Sequence, residues 1–228
     1  LMAASMYPKD YDGVLALAPA ISQQAHQVNM GDFNRWIYGR HPDGSVNAGV
    51  PAQANWISPA KSALYAAAEI AACDTLDGLA DGIIGNVEAC TYVPTNLQCA
   101  DDVAGIQDDS CLTTGQIEAI RLNYADKSVP LTLANGMTGY ERYGRGGAAT
   151  SDWEAYVFGP SFEARDSFNY MAVSAAARLV EGNPAADLLQ HDPTRYQAPY
   201  LRLANLIDAT NPDLSAFADN GGKLLIWY

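Results

Sequence analysis

The sequence predicts an α/β protein in which two sheet-forming segments flank a large, mainly helical and loop-rich insertion. Residues 14–20 form a short apolar run between turn-forming residues, and residues 223–228 form a second one at the other end of the chain. Short apolar runs without alternation are typical of strands that are buried on both faces of a parallel sheet. Between them, helical patterns are mixed with long connections rich in Gly, Asn and Asp.

The two end segments contain the predicted strands and two short helices. Residues 1–6 predict the last turns of a helix, which Pro8 ends. The polar turn at 9–13 then leads into the first strand. Near the other end, Asn211 and Pro212 predict the start of a helix over 213–220, because Asn caps helices and Pro favours their first turn. Two glycines end this helix before the strand at 223–228.

The insertion is predicted to be largely helical. Thr113 and Gln116 have the spacing of a capping box, in which each side chain bonds the backbone N–H of the other residue. The predicted helices of the insertion lie at 59–72, 113–124, 168–181 and after Asp192-Pro193. The domain organisation predicted from these patterns is a sheet-bearing part formed by 1–29 and 206–228, interrupted by an inserted domain at 30–205.

Composition limits the classes of function. The chain has 228 residues, of which 49% are hydrophobic, so it can bury a substantial core. Its formal net charge is −13, which argues against a nucleic-acid partner, because phosphate binding requires a basic surface. The same charge disfavours anionic membranes, and no apolar run is long enough for a membrane span. An acidic surface is compatible with a soluble protein that holds a cation.

Four cysteines lie within one stretch of about forty residues: Cys73, Cys90, Cys99 and Cys111. Clustered cysteines in loop-like sequence indicate a local disulfide framework, which implies an oxidising compartment and a secreted or periplasmic protein. The competing interpretation is a zinc site. It is disfavoured because there is no Cys-x-x-Cys pair and because His26, His41 and His191 are far from the cluster in sequence. Four cysteines allow three pairings, and the spacing alone does not choose among them.

The most informative segment follows the first of these cysteines. From Cys73 to Ile83 the chain reads Cys-Asp-Thr-Leu-Asp-Gly-Leu-Ala-Asp-Gly-Ile. Calcium is bound by carboxylates and by backbone carbonyls, and Gly lets the chain curl around such an ion. The segment therefore predicts a calcium loop, although its spacing does not fit an EF-hand. The alternative is a solvated acidic turn, since Asp-Gly turns are common.

Several motifs together resemble the tannase and feruloyl esterase family, over essentially the whole chain. They are Tyr7-Pro8-Lys9-Asp10-Tyr11-Asp12-Gly13 with Ala18-Pro19-Ala20, Cys73-Asp74 through Asp81-Gly82-Ile83 with Cys90, Cys111-Leu112-Thr113 with Gln116, and Asp213-Leu214-Ser215-Ala216-Phe217 with Gly221-Gly222-Lys223-Leu224. The acidic segment is the most specific of these motifs, and residues 125–200 match most loosely.

This resemblance implies a fold and a set of site residues. The fold is a partial α/β-hydrolase core, with a doubly wound sheet, into which a large lid domain is inserted. The lid would hold a structural Ca²⁺ through the side chains of Asp74, Asp77 and Asp81 and the carbonyls of Leu79 and Ile83. The resemblance also implies the sequential disulfide pairing, Cys73 with Cys90 and Cys99 with Cys111.

The resemblance implies a serine carboxylic ester hydrolase that acts on esters of aromatic acids. The family's nucleophile lies in a Gly-x-Ser-x-Gly elbow, which does not occur in these 228 residues. By resemblance the elbow precedes Leu1, and the catalytic Asp and His follow Tyr228. The chain alone is therefore expected to lack the triad and to be inactive, and the neighbouring Ser22 and His26 are interpreted as an accidental pair. The alternative is a non-catalytic, calcium-stabilised secreted binding domain.

An aromatic-rich stretch is the candidate wall of the substrate pocket. Its members are Trp153, Tyr156, Phe158 and Phe162, followed by Phe168 and Tyr170. The alternative is that these residues form the core of the lid, because aromatic side chains bury large areas wherever they lie. Pocket walls are also mainly apolar, so composition does not separate the two interpretations.

Overall fold

The structure, a computed structural model, describes residues 1–38, 51–149 and 153–227. Its α-helices are α1 Met2–Met6, α2 Gln23–Ile37, α3 Pro59–Cys73, α4 Asp102–Gly105, α5 Thr114–Asn123, α6 Phe168–Glu181, α7 Gln197–Ile207 and α8 Ser215–Asp219. Its strands are β1 Gly13–Leu17, β2 Lys127–Ser128, β3 Gly139–Tyr140 and β4 Lys223–Trp227. No helix in this described part of the chain combines the length and apolar composition needed to cross a bilayer.

The chain divides into two compact units. The smaller unit comprises 1–29, 128–140 and 192–228, and the larger unit comprises 30–127 and 141–191. These two units group residues that lie close together, whereas the limits predicted from the sequence (1–29, 30–205 and 206–228) mark where an inserted domain begins and ends along the chain. The predicted limits therefore stay predictions.

The smaller unit contains the two predicted strands. β1 and β4 pair in parallel, from Gly13 opposite Lys223 to Leu17 opposite Trp227, so their carboxyl ends meet at one edge. This arrangement confirms the parallel strands of the α/β prediction, with Tyr228 outside the described residues. Among the described residues nothing covers much of their apolar surface, and Leu15, Leu225 and Trp227 are each 60% exposed or more.

The helix before β4 begins later than predicted. Asn211 and Pro212 do not start it, and α8 begins at Ser215. The Asn211 side chain accepts from the N–H of Asp213 at 3.0 Å, and the Asp213 side chain accepts from the N–H of Ser215 at 3.0 Å. Short polar side chains that bond the backbone two residues ahead stabilise turns, and here they delay the helix.

Helix α2 was not predicted from the sequence, because its polar residues and an internal glycine hide the helical pattern. Gly31 lies where the helix approaches other side chains closely. A Cβ atom at this position would lie 3.4 Å from Val173 and 3.6 Å from Leu188. The glycine therefore weakens the local helical signal but permits close packing in the larger unit.

Asp208 caps the first turn of α2 from 184 residues away. Its carboxylate accepts from the backbone N–H of Gln24 at 3.1 Å, and Gln23 contributes a second backbone N–H. The adjacent Ala209 donates to the carbonyl of Ile21 at 2.9 Å. Burial raises the pKa of Asp208 from 3.8 to about 6, although the two N–H donors lower it.

The raised pKa predicts how Asp208→Asn changes stability with pH. The folded state binds the Asp208 proton more tightly than the unfolded state. This stabilising contribution is therefore complete below about pH 4 and is lost as the pH rises through about 6. Asn resembles the protonated form and keeps a cap oxygen. The free energy of unfolding of the variant, minus that of the native chain, should therefore be more positive at pH 7.5 than at pH 4. Urea titrations at both pH values would measure this difference.

A matched control for this titration is Asp187→Asn, because Asp187 is an exposed capping carboxylate that accepts from the N–H of Leu189. If Asp208→Asn changed the free energy of unfolding by the same amount at both pH values, folding would not be coupled to protonation of Asp208 as we expect.

The core of the larger unit is built around aromatic rings. Tyr65 on α3 is fully buried and stacks on Trp153, with ring centroids 5.3 Å apart and planes at 11°. Phe158 lies 5.4 Å from Trp153 and meets Phe33 of α2 edge-on at 5.9 Å. These contacts join α2, α3 and the segment Trp153–Phe158 into one apolar cluster.

An ion pair lies inside this core. Glu69, one turn beyond Tyr65 on α3, is 1% exposed and accepts from Arg145 at 3.2 Å. The same guanidinium nitrogen donates to the Tyr65 hydroxyl and to the carbonyl of Tyr92, and Gly146 donates its N–H to the other oxygen of Glu69. Each buried charge is thus paired and hydrogen-bonded, as burial of a charge requires.

Candidate functional site

The acidic loop, residues 74–83, begins where α3 ends. Cys73 is the last residue of α3 and forms a disulfide with Cys90. A 3₁₀ turn at Asp74–Asp77 follows, and it ends at Gly78, whose φ of 93° lies in the left-handed region that Gly favours. The loop is therefore anchored to a helix at one end and is clamped by a covalent bond.

Each of the three predicted carboxylates accepts a hydrogen bond from at least one backbone N–H group of the acidic loop. Asp74 Oδ1 accepts from Asp81 at 3.2 Å and from Gly82 at 3.0 Å, which folds the loop back on itself. Asp77 accepts from Leu79 and, with its other oxygen, from Gly85. Asp81 Oδ1 accepts from Ile83 at 3.0 Å.

Gly85 is the residue that permits this closure. A Cβ atom there would lie 2.3 Å from Oδ2 of Asp77, so a side chain at this position would force the Asp77 carboxylate to move from where it bonds the backbone of residue 85. The next glycine upstream, Gly82, has a φ of 81°. The glycines therefore shape the loop around the aspartates.

The chemistry of these donors fits a hard cation such as Ca²⁺. Asp74 and Asp81 each use one carboxylate oxygen for the backbone, which leaves the other oxygen for a metal. The loop also contains the two carbonyls predicted as ligands, those of Leu79 and Ile83. Within residues 1–38, 51–149 and 153–227, however, no three His, Cys, Asp or Glu side chains are gathered closely enough to form a metal site.

The second disulfide joins Cys99 and Cys111, so the structure has the sequential pairing that the resemblance implied. Next to it, Lys61 is 1% exposed and was not identified from the sequence. Its ammonium donates to the carbonyls of Gly105 and Cys111 and to the side-chain oxygen of Gln116. Burial lowers the pKa of Lys61, whereas the nearby Asp109 raises it. This lysine holds the disulfide loop against α3 and α5.

The predicted aromatic wall separates into members with different environments. Trp153 and Phe158 are buried in the core, with exposures of 3% and 1%. Tyr156 is half exposed and meets Phe168 edge-on, with centroids 5.4 Å apart. Phe162 lies between the rings of Tyr38, at 5.3 Å, and Trp56, at 6.5 Å. Tyr170 also packs on Tyr38. The structure thus does not bring Trp153, Tyr156, Phe158 and Phe162 together as one surface.

Backbone strain occurs at the carboxyl edge of the β1–β4 sheet. Ala18, directly after β1, has a φ of 39°, which L-residues rarely adopt, and its N–H donates to the carbonyl of Trp227 at 2.7 Å. Ligands of open α/β sheets bind outside the carboxyl ends of the strands. Sequence reasoning missed this feature because Ala-Pro-Ala contains no residue that favours a positive φ. Ser22 and His26 lie nearby in sequence, and the contact between them is a backbone hydrogen bond.

Comparisons with known proteins agree with this architecture. The family model described as tannase and feruloyl esterase matches residues 1–228. An uncharacterized esterase from Agrobacterium fabrum is 29% identical over the whole chain, which spans 41% of that relative. A probable feruloyl esterase B-2 from Aspergillus terreus is 27% identical, and the match covers 97% of this chain and 37% of that relative. The crystal structure of feruloyl esterase B from Aspergillus oryzae superposes with a TM-score of 0.73 at 22% identity, over 99% of this chain and 40% of that one.

Proposed function

We propose, because this chain belongs to the tannase and feruloyl esterase family, that it functions as part of a carboxylic ester hydrolase that acts on esters of aromatic acids. The observation that carries the proposal is the family match over all 228 residues. The fold similarity to a feruloyl esterase supports it. The chain spans about 40% of the length of the relatives it matches, so the rest of the catalytic machinery is proposed to lie in the remainder of the protein.

The smaller unit is proposed to form part of the catalytic core. Parallel strands β1 and β4 end at the same edge, beside the strained Ala18. Strain of this kind is often found where a backbone is held in place for function. In the complete enzyme a serine would attack the ester carbonyl, with His as the base and backbone N–H groups as the oxyanion hole. The larger unit is proposed to be the lid, in which the exposed Tyr156 and the partly buried Phe162 contact the acid half of the ester.

The proposed activity is tested by comparing two forms of the protein. The 228-residue chain and a longer form that restores the flanking segments would be assayed with methyl ferulate. We expect turnover by the longer form only, and loss of that turnover when the serine of its Gly-x-Ser-x-Gly elbow is replaced by Ala. Turnover by the 228 residues alone, at a similar rate, would show that the active site has been misplaced. A longer form without an elbow and without turnover would support the binding-domain alternative.

A structural Ca²⁺ is proposed to be held in the acidic loop by the side chains of Asp74, Asp77 and Asp81 with the carbonyls of Leu79 and Ile83. The support is the oxygen-only donor set and the two left-handed glycines, Gly78 and Gly82, that curve the loop. The ion would neutralise clustered negative charge and stabilise the loop, and it would take no part in the chemical step.

Removal of calcium is therefore expected to lower the melting temperature. A ligand that binds only the native state stabilises it by about 2.7 kcal/mol when its concentration is 100 times its Kd. Thermal unfolding would be followed with EDTA and with added Ca²⁺, in the native chain and in Asp74→Asn/Asp81→Asn. The native chain should lose stability on chelation, and the variant should not respond. A native melting curve that EDTA does not move, together with no calcium by metal analysis, would exclude the site.

The protein is proposed to be secreted or periplasmic. The support is the pair of disulfides, Cys73–Cys90 and Cys99–Cys111, because such bonds form and persist in oxidising compartments.

A further inference from the structure

A cavity of about 310 Å³ lies within the larger unit, apart from the acidic loop. Its volume is in the range of small-molecule sites, which are about 300–1,000 Å³. Its walls come from three segments, at 53–61, 106–116 and 161–163. We refer to it as the amide pocket, after the glutamines in its walls.

Two aromatic rings supply the apolar part of the amide pocket. The rings of Trp56 and Phe162 meet edge-on, with planes at 73°. The indole N–H of Trp56 donates to the carbonyl of Phe158 at 2.8 Å, and Phe162 packs on Tyr38. Because both rings are held by these contacts, they form a fixed apolar surface.

The remaining walls carry neutral groups that both donate and accept hydrogen bonds, together with two carboxylates that only accept. Gln53 uses one amide N–H for Glu163, at 3.3 Å, and the Ser58 hydroxyl donates to Asp109 at 3.1 Å. These bonds leave amide N–H donors and carboxylate acceptor oxygens for a ligand, since an amide offers two N–H donors and an acceptor oxygen. The polar wall residues available to a ligand are Gln53, Ser58, Gln107, Asp109, Ser161 and Glu163.

The charges argue against an anionic ligand. Lys61 is a cation in the pocket wall, but its three N–H donors already bond Gly105, Cys111 and Gln116. It therefore has no donor left for a bound carboxylate or phosphate. Two exposed carboxylates, Asp109 and Glu163, would repel such a group.

We propose that the amide pocket binds one ring of a neutral, polyhydroxylated ligand, chemically a sugar residue. Hydroxyl groups donate and accept, so they satisfy the amides and the carboxylates together, whereas an apolar ligand would leave these groups unpaired. The C–H faces of a sugar ring match the fixed surface of Trp56 and Phe162. An organic cation would match the carboxylates and the rings but would leave the amide N–H groups unused. The proposed binding at this site does not depend on whether the protein hydrolyses esters.

The test is a binding titration with the 228-residue chain, followed by the ¹H–¹⁵N signal of the Trp56 indole, which is assigned with Trp56→Phe. The neutral probes are cellotriose, maltotriose and xylotriose; the charged probes are choline and glucuronate. We expect at least one trisaccharide to shift this signal in a saturable way that does not depend on salt, because the ligand carries no charge. Loss of one hydrogen bond in Gln107→Ala should weaken binding about three- to tenfold. Gln190→Ala, an exposed glutamine outside the pocket, should not weaken it.

Three outcomes would overturn the proposal. The first is the absence of any trisaccharide-induced shift of the Trp56 signal. The second is a shift that is the same in Gln107→Ala, which would place the binding elsewhere. The third is binding of choline alone that disappears in Asp109→Asn/Glu163→Gln, which would identify a cation site. None of these results depends on whether the longer protein hydrolyses esters, so the two proposals fail separately.

Discussion

Arg145→Ala is expected to destabilise the chain by about 3–5 kcal/mol, because it leaves a buried carboxylate without its partner. Glu69 is 1% exposed, and the guanidinium of Arg145 is the cation that pairs with it. The substitution would also remove donors to Tyr65 and Tyr92. Urea unfolding, followed by circular dichroism, would measure the loss as a shift of the midpoint at an unchanged slope.

The double variant Glu69→Gln/Arg145→Ala separates the unpaired charge from lost packing. The amide carries no charge, so the double variant should be more stable than Arg145→Ala alone. A double-mutant cycle would measure this as a coupling energy between residues 69 and 145. Arg142→Ala is the matched control. Arg142 pairs with Glu88 at the surface, where side-chain exposures are 43% and 75%, and such pairs contribute about 0–1 kcal/mol. If Arg145→Ala cost no more than Arg142→Ala, the buried pair would have no special role.

Trp153→Ala should also lower the free energy of unfolding by about 3–5 kcal/mol, which is typical of removing a buried aromatic ring. Trp153 is 3% exposed and stacks on Tyr65, so its loss leaves a cavity that the surrounding rings only partly fill. Both side chains belong to the cluster that holds α3 in the larger unit.

Tyr156→Ala provides the matched comparison, because Tyr156 lies in the same helical segment, Trp153–Phe158, and is 50% exposed. We expect a change within about 0.5 kcal/mol, as for most surface substitutions. In the longer form with the proposed esterase activity, by contrast, Tyr156→Ala should change the preference among aromatic esters. Equal destabilisation by the two substitutions would contradict the assignment of Trp153 to the core.

The parts of the fold that the sequence predicted are those encoded by local patterns. The capping box at Thr113 is complete in the structure, with the Gln116 side chain bonding back to the N–H of residue 113, and it starts α5 as expected. β1 and β4 were recognised as short apolar runs between turns. Each of these signals depends on neighbouring residues alone, so it can be identified without knowledge of the tertiary structure.

The parts that the sequence did not predict depend on distant partners. The first turn of α2 is capped by Asp208. The glycine near the middle of α2 lies where Val173 and Leu188 pack closely against the helix. Lys61, Tyr65 and Glu69 recur every four residues on α3, which places charged residues on its buried face. That spacing was a usable signal for buried polar contacts. The partners themselves come from segments that only the folded chain brings close.

Composition also did not resolve the role of the aromatic stretch. Trp153 and Phe158 lie in the core, Tyr156 lies on the surface, and Phe162 lines the amide pocket. All four are aromatic residues within a few positions of one another, so only the direction of each side chain separates them.

The bridge between Cys73 and Cys90 makes the acidic loop part of a closed covalent ring. Much of that ring is open to solvent, with Leu79 and Ile83 both more than 60% exposed, so it is a place where a protease can reach the backbone. A single cut between the two cysteines would not release a piece of the protein, because the sulfur bridge would still join both halves. Such a nicked molecule would run as one band on a gel and would separate into two only after reduction.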